Sequence, residues 1–449
     1  MSSVFYKYFW EINFVIPKRD ISFIPYSLVR FTKTCDYFKT SIPTYELIVK
    51  IKDEYLNVFR MYDKEISVNV KQKMLYGNSE GHYDQEKIIF EDSFIPFYDK
   101  NTIPAYAKTN KTVSADPDKA GSLYKVDDSP SIMNPCEIRF VLLSKKDLAM
   151  RKYIHNYVLG SDSSPVNTAT AVGFIIDQND YVTKYLMDTP DNTTPYSDLI
   201  IKPADIINSI RQIQVNYGIY SKDLLLFYDS GMLYVLNKYA TEHSHQQDEI
   251  NTISVRIDER SDKVNPTNSA EIFEDSTIGY ERVATLVKED NESILGELVG
   301  DKFVYSNADS AFNTVFGNKG KTTFVSPLHE VSRDIQSHSD TGTKKIMDYD
   351  MLNNPYNMSS YIASTSVGVP VGFTIAGVNC EHFTPNKRVK LTLDTPESRK
   401  LYSGVYNISS ATFIYMNSED PKRRFDTFGH VALTLINKTD GYDKDYEIK

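Results

Sequence analysis

Five short runs decide the reading: Val371-Gly-Phe-Thr-Ile-Ala-Gly377, Val389-Lys-Leu-Thr-Leu393, Val405-Tyr-Asn-Ile408, Phe413-Ile-Tyr415 and Val431-Ala-Leu-Thr-Leu435. In the first, second and fifth, apolar side chains alternate with polar or small ones, and Tyr406 and Ile408, like Phe413 and Tyr415, keep the same spacing of two, the period of a half-buried strand. Between the runs stand turn-formers: Gly377, Pro385-Asn-Lys387, Gly404, and the charged turn Ser418-Glu-Asp-Pro-Lys-Arg-Arg424. Short strands at short spacing with such breaks predict an antiparallel barrel or sandwich of roughly a hundred residues.

Working outward, the N-terminal hundred residues have the same style. Trp10, Ile12, Phe14 and Ile16 alternate with Glu11, Asn13 and Val15, and Tyr45, Leu47, Val49 and Ile51 follow Pro43. A polar turn at Met61 to Lys64 precedes Ile66, Val68 and Val70, and Ile88 to Phe90 makes a fourth strand before Phe94-Ile-Pro-Phe97. Residues 101–135 are rich in Asp, Ser, Lys and Pro without apolar periodicity, and are expected to be a loop or linker.

A different pattern begins at Cys136. Ile138, Phe140 and Leu142 form a strand, and Ser144 is placed to cap a helix with Asp147 in its first turn. Leu148, Arg151, Ile154 and Val158 fall on one side, so that helix is expected to run to Gly160, with a strand over Ala169 to Ile176 following. Pro203 to Tyr217 predicts the best helix in the chain, with Ile206, Ile210, Ile213 and Tyr217 on one face and Gly218 to end it. Leu224 to Tyr228 and Met232 to Leu236 flank Asp229-Ser-Gly231, a tight hairpin turn.

The chain resembles the central hub proteins of long-tailed phage baseplates and tail tips, a family shared with contractile injection systems. The residues that carry the likeness are Phe373 to Gly377, Pro385 before Val389 to Leu393, Tyr402-Ser-Gly-Val-Tyr-Asn-Ile408, and Phe428-Gly-His-Val431 running into Leu433 to Leu435. The helix followed by a hairpin over Phe227 to Leu236 is a second point of resemblance. The expected fold is mainly β with an α+β insert: two tube-like antiparallel β-barrels plus α+β middle domains. The expected division is 1–105 for an N-terminal barrel, 106–135 for a linker, 136–245 for an α+β domain, 246–345 for an acidic, loop-rich region and 346–449 for a C-terminal barrel.

The resemblance implies a structural, non-enzymatic virion protein acting as a homotrimer. Its partners would be the tail tube protein, a central spike or fibre and other baseplate proteins, with DNA passing non-specifically and assembly in the host cytoplasm. Two similar barrels per subunit would present six near-equivalent units to the tube. Val389 to Leu393 and Val431 to Leu435 would then be ring-forming strands. Many tail-tip proteins of the family carry a C-terminal peptidoglycan hydrolase, and with the chain stopping at Lys449 there is no room for one.

Composition agrees. The 449 residues predict two to four domains, and 32 Tyr and 23 Phe against one Trp suit strands and interfaces, although AT-rich codon usage explains the same bias. A formal net charge of −10 argues against a surface built for nucleic acid, yet suits a channel through which DNA slides. Thr241 to Gly300 holds fourteen acids and five bases, a solvated face or one turned to a channel. Residues 306–345 read as an exposed connection or arm. Cys35, Cys136 and Cys380 are isolated, which predicts no disulfide framework or zinc site. Met1 to Asp20 carries charges within its apolar part and is no signal peptide, and no apolar run is long enough to span a membrane.

Candidate chemistry is sparse. His243-Ser-His245 with Asp248 and Glu249 is the densest set of possible ligands, and a hydrolase centred there, or a receptor- or carbohydrate-binding tail protein, is the alternative reading. Gly317-Asn-Lys-Gly-Lys-Thr322 lacks the first Gly of a phosphate loop, since Val315 stands there. Ser163 and Ser230 have no nucleophile-elbow flanks. His329, His338 and Asp340 lie in a polar connection, the adjacent acids Glu289-Asp290 and Glu419-Asp420 diverge on a strand, and Asp440 to Glu447 lacks calcium-loop spacing. Catalytic, cofactor and metal residues are therefore expected to be none.

Overall fold

The computed structural model describes residues 5–62, 65–77, 83–98, 135–238, 252–258, 268–273, 279–288, 303–305, 323–325, 354, 356, 370–376, 380–393, 403–417 and 423–439. The first elements are β1 (Phe5–Ile16), β2 (Ile21–Phe23), β3 (Ser27–Asp36), β4 (Thr44–Ile51), α1 (Asp53–Tyr62), β5 (Ser67–Gly77), β6 (Tyr83–Phe97) and β7 (Cys136–Ser144). The middle contains α2 (Lys145–Met150), β8 (His155–Leu159), α3 (Thr168–Asp177), β9 (Lys184–Met187), β10 (Leu199–Ala204), α4 (Ile206–Tyr217), β11 (Leu224–Asp229) and β12 (Met232–Asn237). Last come β13 (Thr252–Asp258), β14 (Asn268–Phe273), β15 (Gly279–Lys288), β16 (Phe303–Tyr305), β17 (Thr323–Val325), β18 (Val371–Ala376), β19 (Arg388–Leu393), β20 (Gly404–Asn417) and β21 (Asp426–Thr439).

The protein is mostly β. Eight antiparallel strands close a first barrel in the order β1, β5, β6, β7, β4, β3, β20, β21 and back to β1. Its interior is filled by aromatic side chains rather than left as a pore. Trp10 lies 4.5 Å from Phe31 and 5.1 Å from Tyr415, ring centre to ring centre, and both Trp10 and Phe31 are buried. From α1, Phe59 packs edge-on against Phe14 and Phe23 and covers one mouth of the barrel.

A second barrel runs β13, β14, β15, β18, β21, β20, β19 and closes through the parallel pair β13–β19. The two barrels therefore share one hairpin. In β20, Gly404–Asn407 pairs with β19, while Ser410–Met416 pairs with β3. In β21, Asp426 and Thr427 pair with β1, and His430–Leu435 pairs with β18. Val405–Ile408 and Phe413–Tyr415 look like two strands in the sequence because a bulge between Ile408 and Ser410 breaks the alternation within one strand.

This sharing alters the expected division. Residues 136–144 do not open the α+β domain: β7 hydrogen-bonds between β4 and β6 in the first barrel. Residues 252–288, expected to be acidic and loop-rich, contain β13, β14 and β15 of the second barrel. Strand pairing across long sequence separations decides both, and a local pattern does not register it. The expected linker lies almost wholly outside the described residues. Of the 306–345 connection only β17 is described, paired with β16.

Three local expectations are corrected. The helix after Ser144 stops at Met150, because His155–Leu159 pairs with β10 and buries His155 on the domain side. Ala169 to Ile176 is helical, not a strand. Asn167 caps it by accepting from Thr170 N at 2.8 Å, and Ala171, Val172, Ile175 and Ile176 are buried at helical spacing. Met61, expected to open a polar turn, lies in the last turn of α1, which runs from Asp53 to Tyr62 after β4. The expected helix over 203–217 forms as α4, beginning at Ile206 with Asp205 as its cap and ending at Gly218, whose φ is +74°.

Candidate functional site

The second mouth of the first barrel is where chemistry-bearing side chains gather, and two elements of the α+β domain cover it. The hairpin β11–β12 turns through Ser230 and Gly231, both at positive φ (+52° and +90°), the backbone of a tight two-residue hairpin. At Gly231 a Cβ would lie 2.7 Å from Thr183 Oγ1, so the turn also needs a glycine for space. The hairpin is buried on both faces. Leu225, Phe227, Tyr234 and Leu236 join the core of the barrels, while Leu226, Tyr228, Leu233 and Val235 join the core of α3 and α4. Strand alternation thus makes one ribbon the shared wall of two cores.

At its tip the hairpin delivers Asp229 to Lys33. Lys33 lies on β3 between the inward-facing Phe31 and Cys35, an interior position in the barrel, and its Nζ donates to Asp229 Oδ2 at 2.5 Å. The ammonium also stands about 6 Å from the ring centres of Phe90 and Phe413, at 6.0 and 5.9 Å. Burial opposes the charge, but the Asp229 carboxylate more than offsets it and raises the Lys33 pKa to about 12. Beside the pair is a cavity of about 250 Å³ lined by Lys33, Gln72, Asp229, Tyr234, Cys380 and Tyr415 among others.

Two further carboxylates approach the same mouth from β6 and α2. Ser144, the last residue of β7, donates from Oγ to Asp92 Oδ2 at 2.5 Å and accepts from Asp147 N at 3.2 Å, so one hydroxyl joins the strand end to the helix cap. Asp92 also accepts from Ser93 N at 2.7 Å, and burial raises its pKa despite these bonds. Asp147 is 3% exposed. Burial, reinforced by the charges of Asp92 and Asp229, lifts its carboxyl from the usual 3.8 to about 7 against the pull of Lys33 and Ser144. The mouth thus holds one fixed cation, its counter-ion and an acid that takes up a proton near neutral pH. The Lys33–Asp229 pair ties the hairpin of the α+β domain to the barrel.

Few of the residues singled out in the sequence come together here. His243 and His245 with Asp248 and Glu249 lie outside the described residues, as do Gly317 to Thr322, His329, His338, Asp340 and Asp440 to Glu447. Ser163 is exposed and its Oγ lies 3.2 Å from Ser161 Oγ, and Ser230 donates to Asp229 Oδ1 at 2.9 Å. Cys35 and Cys380 are buried, as expected, whereas Cys136 is partly exposed. Among the described residues no group of three His, Cys, Asp or Glu side chains is arranged to hold a metal ion, and no helix is long and apolar enough to cross a membrane. Lys33 was the missed signal: a cation at an inward position of an alternating run requires a buried partner.

Comparison with curated proteins gave no match. Among solved structures, the chain is similar to the tail protein from Neisseria meningitidis MC58 at 9% identity and a TM-score of 0.44, covering 96% of this chain and 97% of that one. The 43 kDa tail protein of prophage MuSo2 from Shewanella oneidensis aligns at 9% identity and a TM-score of 0.42, over 95% of this chain and 96% of that one. An E. coli protein described as a component of the type VI secretion system aligns at 6% identity and a TM-score of 0.35, over 92% of this chain and 74% of that one. The family model described as Bacteriophage PBS1 gene 109 protein matches residues 4–433, and the chain belongs to that family.

Proposed function

We propose that this protein is a structural, non-enzymatic component of a phage tail. It is the hub at the baseplate or tail tip, a homotrimer that meets the six-fold tube on one side and a three-fold spike or fibre on the other. DNA passes non-specifically through its centre, and assembly takes place in the host cytoplasm before the protein enters the virion. The observation that carries the reading is the shared hairpin. Two barrels held by common strands rather than by a linker form a fixed pair, and three such pairs make six barrel positions with three-fold exactness and six-fold likeness. Membership of a phage family supports the setting. The hairpin latch at the barrel mouth has a mechanical part in this scheme, keeping the α+β domain in one orientation on the ring.

Size-exclusion chromatography with light scattering tests the assembly. The expected mass is three times the 51.4 kDa of the chain, either alone or after mixing with the tube protein of the same phage. A monomer under both conditions overturns the hub reading.

A further inference from the structure

The two-stranded ribbon of β8 and β10 has one protected edge and one that is open among the described residues. On β10, α4 gives the protection: Tyr217 Oη accepts from Ile200 N at 2.7 Å, while Gln212 accepts from Lys202 N at 3.0 Å and donates to Lys202 O at 3.3 Å. A side-chain amide there stands in for a neighbouring strand. Because Ile200 and Lys202 turn their backbone groups toward α4, the pair Ile200–Val158 is of the kind whose N–H and C=O groups point apart. The backbone groups of Val158 therefore face the far side of β8, and those of Asn156, two residues earlier, face the same way. Among the described residues neither has a backbone partner on that side.

The outward face of the ribbon carries exposed aliphatic side chains beside the polar Asn156 and Lys202. Val158 is 65% exposed, Ile154 56% and Ile200 49%, while Leu199 and Ile201 on the other face are fully buried. A ribbon of two strands falls short of the three that usually make a stable sheet, and an open apolar edge is a template for a further strand. The ends of the ribbon differ in charge. Exposed Lys152 and Lys202 lie toward the start of β8, neither in an ion pair among the described residues, and exposed Asp198 lies toward its end. In a chain of net charge −10, two unpaired bases beside an open edge favour an acidic partner.

We propose that β8 is a strand-addition site for an extended segment of another tail protein. That segment runs antiparallel to β8, lays alternating aliphatic side chains beside Ile154, Val158 and Ile200, and carries an acid toward its C-terminal end, against Lys152 and Lys202. The proposal rests on the tail reading above, and its test separates the two.

Hydrogen exchange at the amides of Asn156 and Val158 is measured in the free chain and in purified phage particles. Exchange slower by about ten-fold or more in the particle is expected, since strand addition bonds both amides. Val158→Pro supplies the second arm. Its N–H faces outward, so proline removes no bond to β10 and the thermal midpoint stays unchanged, while yield of infectious particles falls by about ten-fold or more. Val158→Ala keeps the amide and is expected to retain most of the yield. A particle that contains the chain with both amides still exchanging freely overturns strand addition and leaves the tail reading intact. Protection that grows with concentration of the chain alone overturns the proposed occupant in favour of a second copy. Absence of the chain from the particle overturns both.

Discussion

Replacing Asp147 by Asn removes the carboxyl in the barrel mouth whose pKa burial lifts to about 7, while keeping its size. The direction follows from the raised pKa. Folded Asp147 holds its proton up to about pH 7, whereas the unfolded chain releases it near 3.8. Between those values the folded state binds the extra proton, so its contribution to stability is complete below pH 4 and is lost as pH rises through 7. With Asp147 fully ionised, the penalty is about 4 kcal/mol. Asn carries no such penalty. Urea unfolding of both proteins at pH 5 and pH 8.5 measures the difference. The variant is expected to be more stable by about 1 to 2 kcal/mol at pH 5 and about 4 kcal/mol at pH 8.5. An advantage equal at the two pH values, or a variant weaker at pH 8.5, refutes the picture of a desolvated acid repelled by Asp92 and Asp229.

Three more substitutions probe how the parts are joined. Lys33→Met leaves Asp229 facing aromatic rings and is expected to cost about 3 kcal/mol, most of it recovered by adding Asp229→Leu; a double-mutant cycle measures the coupling. Gly429→Ala would place a Cβ 2.6 Å from the Tyr8 ring and 3.0 Å from Cys380 Sγ. With both neighbours buried, a loss of about 1–3 kcal/mol is expected in thermal unfolding. Trp10→Phe keeps a buried ring but removes the 2.8 Å bond from Nε1 to Thr427 Oγ1, for about 1–2 kcal/mol in the same assay.

Alternation in the sequence located most strands of the first barrel and β18 to β21 of the second, because each faces a core on one side only; it passed over β3 and left β13 to β15 inside a stretch expected to be acidic and loop-rich. It could not assign them to barrels. β7 and β13 to β15 lie far in sequence from the strands they pair with, and nothing local marks Cys136 as continuing a barrel begun at Phe5. In the middle domain, Ala171 to Ile176 is an apolar run that fits strand and helix alike, and the Asn167 cap settles it only once the geometry is seen. The hairpin turn was legible from Asp229-Ser-Gly231 alone. Its part at the barrel mouth was not, since Lys33 and Asp229 stand 196 residues apart. Asp147 could be read as a favourable first-turn acid from sequence; its burial beside two other acids could not.

The shared hairpin also explains how one pair of strands satisfies two interiors. β21 needs no adjustment: Thr427, Gly429, Val431, Leu433 and Leu435 are all buried at unbroken period two. Its partner cannot do the same. Tyr406 and Ile408 face the second barrel and Ala411, Phe413 and Tyr415 the first, so β20 shifts phase by one residue between Ile408 and Ala411. The bulge supplies that residue where β20 passes from β19 to β3, and adds the bend and twist that bulges bring. Where β21 in turn passes from β1 to β18 it has Gly429, opposite Tyr415, with its backbone against Tyr8 and Cys380 where a Cβ would not fit. The relation between the barrels is thus written into a hydrogen-bonded ladder, where a slip of one residue would turn both sets of core side chains outward together. A flexible linker carries no such penalty and would leave the two barrels free to turn against each other.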